Sequence, residues 1–289
     1  MGKTTQRTYA ARAWATVVIT AATLGLSVCD RVVDPPLPAD AEQYSPPAVY
    51  ALWWNMTREC SGLAGSLDAV TWYRTNETLR EDGTGDRIIG YWSSATNRIV
   101  MAASAVLDGP DVRHEMLHAL VRKTGHPRDQ FLGACNGTVD CGELCIADAG
   151  GYKPPPEAPI HIGQDSLDVE VSVEPQVPTA AAYGGFFTIT VVTHNRSGHW
   201  ATVMPTGALP DTSLTFSYDV SGATGGSSTT EHAVDLSERV FAPGESKRRV
   251  FDFVVGNVPF RQQLSPGDYV LRGGYAGYLS SDYSLTVGQ

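Results

Sequence analysis

Residues 110–125 read PDVRHEMLHALVRKTG, and they predict a buried helix that carries a polar stripe. Pro110 suits the first turn of a helix, and Asp111 complements the positive end of the helix dipole. Three apolar residues recur with helical spacing and form a ridge for the core: Val112, Met116 and Leu120. Gly125 suits a left-handed cap, so we expect the helix to end there.

Two histidines of this helix enclose the motif HExxH. His114 and His118 are one helical turn apart, so both imidazoles lie on the same face and can bind one zinc ion. Glu115 lies beside them and can take the proton of a metal-activated water. The motif therefore predicts two zinc ligands and a general base.

A catalytic zinc ion keeps three protein ligands and one open position, so a third ligand is needed. His126 is our candidate. A straight helix would carry it about 12 Å beyond His118, so the chain must reverse at Gly125 for His126 to reach the metal. Three acidic residues remain as alternatives: Asp129, Glu143 and Asp148.

The segment from His118 to Phe131 resembles the zincin branch that includes the SprT-like metallopeptidases. In that branch, HExxH is followed across a turn by a zinc-binding histidine and then by an aromatic residue. The resemblance implies that His114, His118 and His126 bind zinc and that Glu115 is the catalytic acid and base. The aromatic residue, Phe131, follows His126 by five residues where four are expected.

The residues before the motif predict a small α+β core. A helix is expected from Val49 to Cys60, and four of the six tryptophans fall within forty residues, which favours packing in a core over a ligand cage. Strands are expected at 70–73, 88–92 and 98–102. The last of these has the place of the zincin edge strand, which can hold an extended peptide by main-chain hydrogen bonds, although an ordinary core strand fits equally well.

The second half of the sequence changes to a period of two. Apolar and polar residues alternate in 167–174, 187–191, 214–220, 269–271 and 283–287. About seven such strands separated by turns predict an antiparallel β-sandwich of immunoglobulin-like size. The turn at 193–198 and the stretches 242–245 and 264–271 resemble the intracellular proteinase inhibitor (BsuPI-like) domain.

The first 28 residues predict an export signal. A basic segment without acidic residues precedes the apolar stretch 13–28, which is too short to span a bilayer. This stretch ends in Leu26-Ser27-Val28-Cys29, which resembles the lipobox of bacterial lipoproteins and implies that Cys29 is lipidated. We therefore expect an exported, membrane-anchored lipoprotein at the cell surface or in the periplasm; a plain secretory signal is the alternative.

The other four cysteines suit an oxidising compartment, in which an even count favours disulfides over a zinc knuckle. Of the three possible connectivities we favour Cys60–Cys135 with Cys141–Cys145. The three downstream cysteines lie too close together to bridge to the distant helix of Cys60 more than once.

Proline-rich stretches divide the chain. The predicted organisation is a signal peptide (1–28), a proline-rich tether (29–48), a zincin-like metallopeptidase domain (49–150), a linker (151–165) and a β-sandwich domain (166–289). Because a separate core is expected on each side of the linker, residues 30–152 are expected to fold and keep zinc alone.

The 289 residues carry a formal charge of −10, and no run of lysine and arginine is longer than Lys247-Arg248-Arg249, which argues against binding to nucleic acid. The sequence thus predicts an α+β protein that acts as an exported zinc peptidase on peptide or protein substrates and is anchored to the membrane. The alternative is a surface binding or protease-inhibitor-like protein in which the sandwich is the working part and the HExxH domain is inactive.

Overall fold

A computed structural model describes residues 35–81, 84–151, 153–203, 215–222, 227–233, 240–256 and 262–289. The predicted signal peptide and the lipidation site Cys29 lie outside these residues. None of the helices in the described stretches is long and apolar enough to cross a membrane. The described residues belong to one compact unit, Val33–Gln289.

Among the described residues, the α-helices lie in the first half of this unit, whereas strands occur in both halves. The helices are α1 (Val49–Ser61), α2 (Gly109–Val121) and α3 (Glu143–Asp148). The strands are β1 (Glu42–Gln43), β2 (Thr71–Thr75), β3 (Gly90–Ser93), β4 (Arg98–Ala102), β5 (Ile160–Ile162), β6 (Leu167–Glu174), β7 (Phe186–Asn195), β8 (Ala201–Val203), β9 (Thr215–Gly222), β10 (Ser227–Ala233), β11 (Val240–Phe241), β12 (Ser246–Val255), β13 (Gln263–Leu264), β14 (Gly267–Tyr275), β15 (Tyr278–Leu279) and β16 (Tyr283–Val287). The general class is α+β, as the sequence predicts.

The first half contains a four-stranded sheet in the order β1-β2-β4-β3, in which only β2 and β4 run parallel. Helices α1 and α2 pack against it around a common apolar core. The four clustered tryptophans are all buried there: Trp53, Trp54, Trp72 and Trp92. Their predicted role in packing is therefore confirmed.

Strand β4 (98–102) does not form the edge of this sheet, the place that the zincin resemblance suggested for it. Strand β4 lies between β2 and β3, and its residues Ile99, Val100 and Met101 are fully buried. The edge next to α2 is β3 instead. A continuous apolar run such as 98–102 is typical of a strand covered on both faces, and this accounts for its interior position.

Part of the predicted tether lies on the sheet. Glu42 and Gln43 pair with β2, Arg98 donates a hydrogen bond to the carbonyl of Pro35, and Asp40 accepts one from the backbone of Asn76. Glu42 and Gln43 fall between prolines, which lack the N–H that a strand ladder needs. Proline content alone does not distinguish a free tether from one that lies along a sheet.

The second half consists of sheets that share one apolar core. The described strands pair antiparallel, as predicted, except that β12 and β13 and also β5 and β8 run parallel. One sheet has the order β10-β9-β14-β15, with β16 also paired to β14, and another has the order β13-β12-β7-β6. Gly273 of β14 lies directly against Val191 and Val171, so these two sheets face each other. A small sheet, β11-β8-β5, contributes Ala201, Val203 and Phe241 to the same core.

The two halves are in contact through strands β7 and β12. The Phe186 ring packs on Trp53 at 5.9 Å between centroids, and Thr188 contacts the sulfur of Met56. Helix α1 thus lies between its own sheet and the strands of the second half.

Candidate metal centre

The HExxH residues lie on α2 as their spacing predicts. Pro110 is in the first turn, and Val112 and Met116 are fully buried against the core. Because one side of the helix is buried, the side that carries His114 and His118 faces away from this core. Their imidazoles lie side by side, with the two Nε2 atoms 3.2 Å apart.

The chain reverses earlier than the sequence suggests. Helix α2 ends at Val121, and Arg122 adopts the left-handed conformation (φ 59°) while donating its N–H to the carbonyl of His118. Gly125, where we expected the cap, has no positive φ. The prediction of that cap was wrong because a helix continued to Gly125 would carry His126 away from the motif.

His126 completes a cluster of three imidazoles. Nε2 of His114 lies 3.1 Å from Nε2 of His126 and 3.2 Å from Nε2 of His118, so it is close to a ring nitrogen of each of the other two histidines. Ligands at 2.0–2.1 Å from a tetrahedral zinc ion are separated by about 3.4 Å. Both distances from Nε2 of His114 are therefore close to the spacing that zinc requires.

The other nitrogen of each ring is held by an oxygen. Nδ1 of His114 contacts the carbonyl of Asp140 at 2.5 Å, Nδ1 of His118 contacts the carbonyl of Lys123 at 2.8 Å, and Nδ1 of His126 contacts Oδ2 of Asp148 at 2.8 Å. A carbonyl oxygen only accepts, so Nδ1 carries the proton and Nε2 presents a lone pair. Lone pairs on neighbouring ring nitrogens suit a cation.

Burial favours the neutral form of His114 and His118. It lowers the pKa of His114 to about 4, although the carbonyl of Asp140 opposes this shift. Burial also holds the pKa of His118 well below its usual value, and the neighbouring His114 and His126 act in the same direction. The hydrogen bonds from His126 lower the pKa of Asp148, which is thus anionic. Neutral imidazoles are the form that binds metals.

Glu115 is buried under the edge strand β3. Its carboxylate accepts a hydrogen bond from the backbone of Trp92, whereas its other oxygen, Oε2, is buried and has no hydrogen-bond partner. Burial and, to a smaller extent, Asp111 raise the pKa of Glu115 to about 8. A buried carboxylate oxygen without a partner fits a group that has to exchange a proton with water at a metal.

Phe131 packs against all three imidazoles. Its ring centroid lies 5.0, 4.7 and 4.9 Å from those of His114, His118 and His126, and the side chain is fully buried. Phe131, the aromatic residue singled out by the resemblance, therefore packs against the imidazole cluster, although it follows His126 by five residues and not by four.

The alternative third ligands lie elsewhere. Asp148 orients His126 through Oδ2, and Asp129 and Glu143 are exposed to solvent. Cys145 comes nearer, because its Sγ and a ring nitrogen of each of His114 and His126 lie within 4.8 Å of one another. However, Cys145 is bonded to Cys141, so it offers no thiolate.

The disulfides have the pairing that we favoured from the sequence. Cys60 is bonded to Cys135 and Cys141 to Cys145. The first bond joins α1 to the end of the helical turn Asp129–Ala134, which carries Phe131. Both pairings leave these four cysteines without a free thiolate.

Sequence reasoning missed the oxygens that orient His114 and His118, because both belong to the main chain of Asp140 and Lys123 and have no residue signature. It also missed Gly90, where a Cβ would lie 3.1 Å from Cγ of Glu115. Gly90 allows β3 to approach Glu115 closely, and a glycine at the start of a short strand is the signal that could have indicated it.

Comparisons with known proteins add little. No family model matches the chain, and no curated protein matches it. Among solved structures, it is similar to the alkylpurine DNA glycosylase AlkC of Pseudomonas fluorescens, with 12% identity, a TM-score of 0.29 and coverage of 43% of this chain and 31% of the glycosylase. This chain therefore spans less than a third of that enzyme.

Two further solved structures are similar at the same level. The putative ApaA protein of Bordetella pertussis has 15% identity and a TM-score of 0.27, over 42% of this chain and 93% of that one. A β-glucosidase of Listeria innocua has 12% identity and a TM-score of 0.26, over 43% of this chain and 16% of the enzyme. These TM-scores are too low to support any inference about fold or function.

Proposed function

We propose that this chain is an exported zinc metallopeptidase with a small zincin-like domain and an antiparallel β-sandwich. The observation that carries the proposal is that Nε2 of His114 lies 3.1 Å from that of His126 and 3.2 Å from that of His118, while Nδ1 of each ring contacts an oxygen. Three ligands leave one position open, which is typical of a catalytic zinc site.

Zinc in this position would activate a water molecule and polarise a peptide carbonyl. Glu115 is suited to proton transfer because it follows a ligand on the same helix and has an unpartnered buried oxygen. It would take the proton of the attacking water and return it to the leaving amine. The Trp92 backbone holds the other side of this carboxylate and fixes its direction.

The substrate would lie along β3. This strand is at the edge of the sheet and passes beside Glu115, so an extended peptide paired with it would bring its carbonyl to the metal centre. This assigns to β3 the role that the sequence suggested for 98–102.

Metal analysis tests the proposal. We expect about one zinc ion per chain in the purified protein, loss of zinc in His126→Ala, and full occupancy in His161→Ala. His161 is a matched control because it is exposed on β5 and its imidazole contacts the hydroxyl of Thr202. A protein that binds no added zinc would contradict the proposal and favour the alternative in which the sandwich is a binding module.

A further inference from the structure

A buried ion pair joins the metal-binding helix to the second half of the protein. Arg113 precedes His114 on α2 and its side chain is fully buried; Asp252 lies on β12 with 15% of its side chain exposed. Arg113 donates two hydrogen bonds to Asp252, from Nη1 to Oδ1 at 2.9 Å and from Nη2 to Oδ2 at 3.1 Å. Trp53 donates a third hydrogen bond to Oδ1. Buried ion pairs add little net stability, so their geometry is the feature to explain.

The ion pair also contacts the loop from Gly137 to Asp140, which orients His114. Nε of Arg113 donates to the carbonyl of Thr138 at 2.5 Å, so the guanidinium bridges β12 and this loop. Two residues further on, the carbonyl of Asp140 contacts Nδ1 of His114. Asp252 is therefore connected to a proposed zinc ligand through one side chain and three residues of main chain.

The same loop is bonded to β12 directly. The carbonyl of Gly137 accepts a hydrogen bond from the backbone N–H of Val250 at 3.0 Å. Gly137 has a positive φ of 74°, and a Cβ there would lie 1.7 Å from the carbonyl oxygen of Arg248. Only glycine allows the loop to lie this close to β12.

We propose that Asp252 is a positioning residue for the metal centre and that β12 is a structural part of that centre. Through Arg113 and the loop from Gly137 to Asp140, Asp252 orients the imidazole of His114. This inference rests on the proposed zinc site. It assigns a role to the second half of the chain, and it replaces the expectation that residues 30–152 keep zinc unaided.

The test compares zinc affinity in two variants of the full chain. Asp252→Asn breaks the ion pair, and we expect zinc affinity to fall about 10- to 100-fold, the usual effect of losing a residue that orients a ligand. Thr188→Val is the matched control. Thr188 is paired in register with Asp252 and lies at the same interface, but it contacts Met56 and not the loop. Its affinity should stay within about twofold of the wild type.

A double variant separates positioning from stability. Asp252→Asn leaves the Arg113 charge buried, which can itself unfold the protein. Arg113→Met combined with Asp252→Leu removes both charges. If the pair only stabilises the fold, this variant binds zinc as the wild type does; if the pair positions His114, affinity falls as in Asp252→Asn, and the absorption spectrum of the cobalt(II)-substituted protein changes.

The wild-type protein provides a measurement that does not depend on the folding of any variant. Coupling is reciprocal, so zinc should slow amide hydrogen exchange at Val250, which is bonded to Gly137, and leave β16 unchanged. Unchanged exchange at Val250 together with unchanged affinity in the folded variants would overturn the inference and leave the zinc site standing. A wild-type protein that binds no zinc would overturn both.

Discussion

The carboxylate of Asp148 accepts two hydrogen bonds from His126, one from its backbone N–H and one from Nδ1, both at 2.8 Å. The two residues are separated by twenty-two positions, and the contact joins α3 to the turn that follows α2. This contact fixes both the position and the tautomer of the third imidazole. A carboxylate in this place also raises the basicity of the ring as a ligand.

Loss of the Asp148 charge should therefore weaken zinc binding. We expect Asp148→Asn to reduce zinc affinity by about 10-fold or more, measured by competition with a chromophoric chelator. Asp282→Asn is the control, because Asp282 makes an exposed ion pair with Arg272 in the second half. Equal losses of affinity in the two variants would show that Asp148 has no specific role.

The two disulfides should differ in their effect on stability. The Cys60–Cys135 bond closes 75 positions and Cys141–Cys145 closes 4. On chain entropy alone, we expect Cys60→Ala with Cys135→Ala to lower the free energy of unfolding by about 4 kcal/mol, and the corresponding change at the short loop to lower it by about 2 kcal/mol. Urea unfolding of both variants checks the order; a larger effect of the short loop would contradict it.

Asp111 should make stability depend on pH. Burial raises its pKa from 3.8 to about 7; Asp108 and Asp140 act in the same direction, and Arg113 opposes them. Asp111 in turn raises the pKa of Glu115. Between pH 3.8 and about pH 7, the folded chain thus binds more protons than the unfolded chain. The free energy of unfolding therefore falls as the pH rises through this range.

Asp111→Asn removes this dependence. We expect the variant to be more stable than the wild type at pH 8, by about 1 kcal/mol after allowing for solvent screening, and to show little difference at pH 4. Denaturant unfolding of metal-free protein at both pH values is the measurement. The same difference at pH 4 as at pH 8 would mean that ionisation of Asp111 is not the cause.

Membrane attachment should depend on Cys29. If the stretch from Leu26 to Cys29 is a lipobox, Cys29→Ser should be exported and no longer fractionate with membranes, because the only long apolar segment in the sequence precedes the cleavage point. Detection of the protein in membrane and soluble fractions checks this. Unchanged membrane association in an exported variant would contradict lipid anchoring.

The sequence predicted the parts of the centre that depend on local spacing. His114 and His118 are one turn apart on α2, and their placement follows from helix geometry. His126 could be singled out because it directly follows Gly125, where the helix was expected to end, and because the segment resembles the SprT-like zincins. The position of the reversal could not be predicted, because Arg122 adopts a conformation that is uncommon for residues other than glycine.

Contacts between distant segments were not predictable. The carbonyl of Asp140 has no signature in the sequence, and Asp252 lies 139 positions from Arg113. The order of β3 and β4 likewise depends on long-range pairing, which the composition of either strand leaves open. The alternation of apolar and polar residues, in contrast, is a local property of the sequence. It correctly placed Val173, Ile189 and Leu285 in the core of the second half.

In the proposed mechanism, Glu115 transfers protons and the three histidines bind the metal. Glu115→Gln keeps nearly the same volume, so zinc occupancy should remain close to that of the wild type, whereas His118→Ala should lose zinc and activity together.

The most direct measurement is hydrolysis of an unstructured protein substrate by zinc-loaded wild type and Glu115→Gln, with zinc determined by elemental analysis on the same preparations. We predict that the variant retains zinc and hydrolyses the substrate at least ~10²-fold more slowly. Hydrolysis by Glu115→Gln at the wild-type rate would contradict the proposed mechanism, whatever metal the site binds.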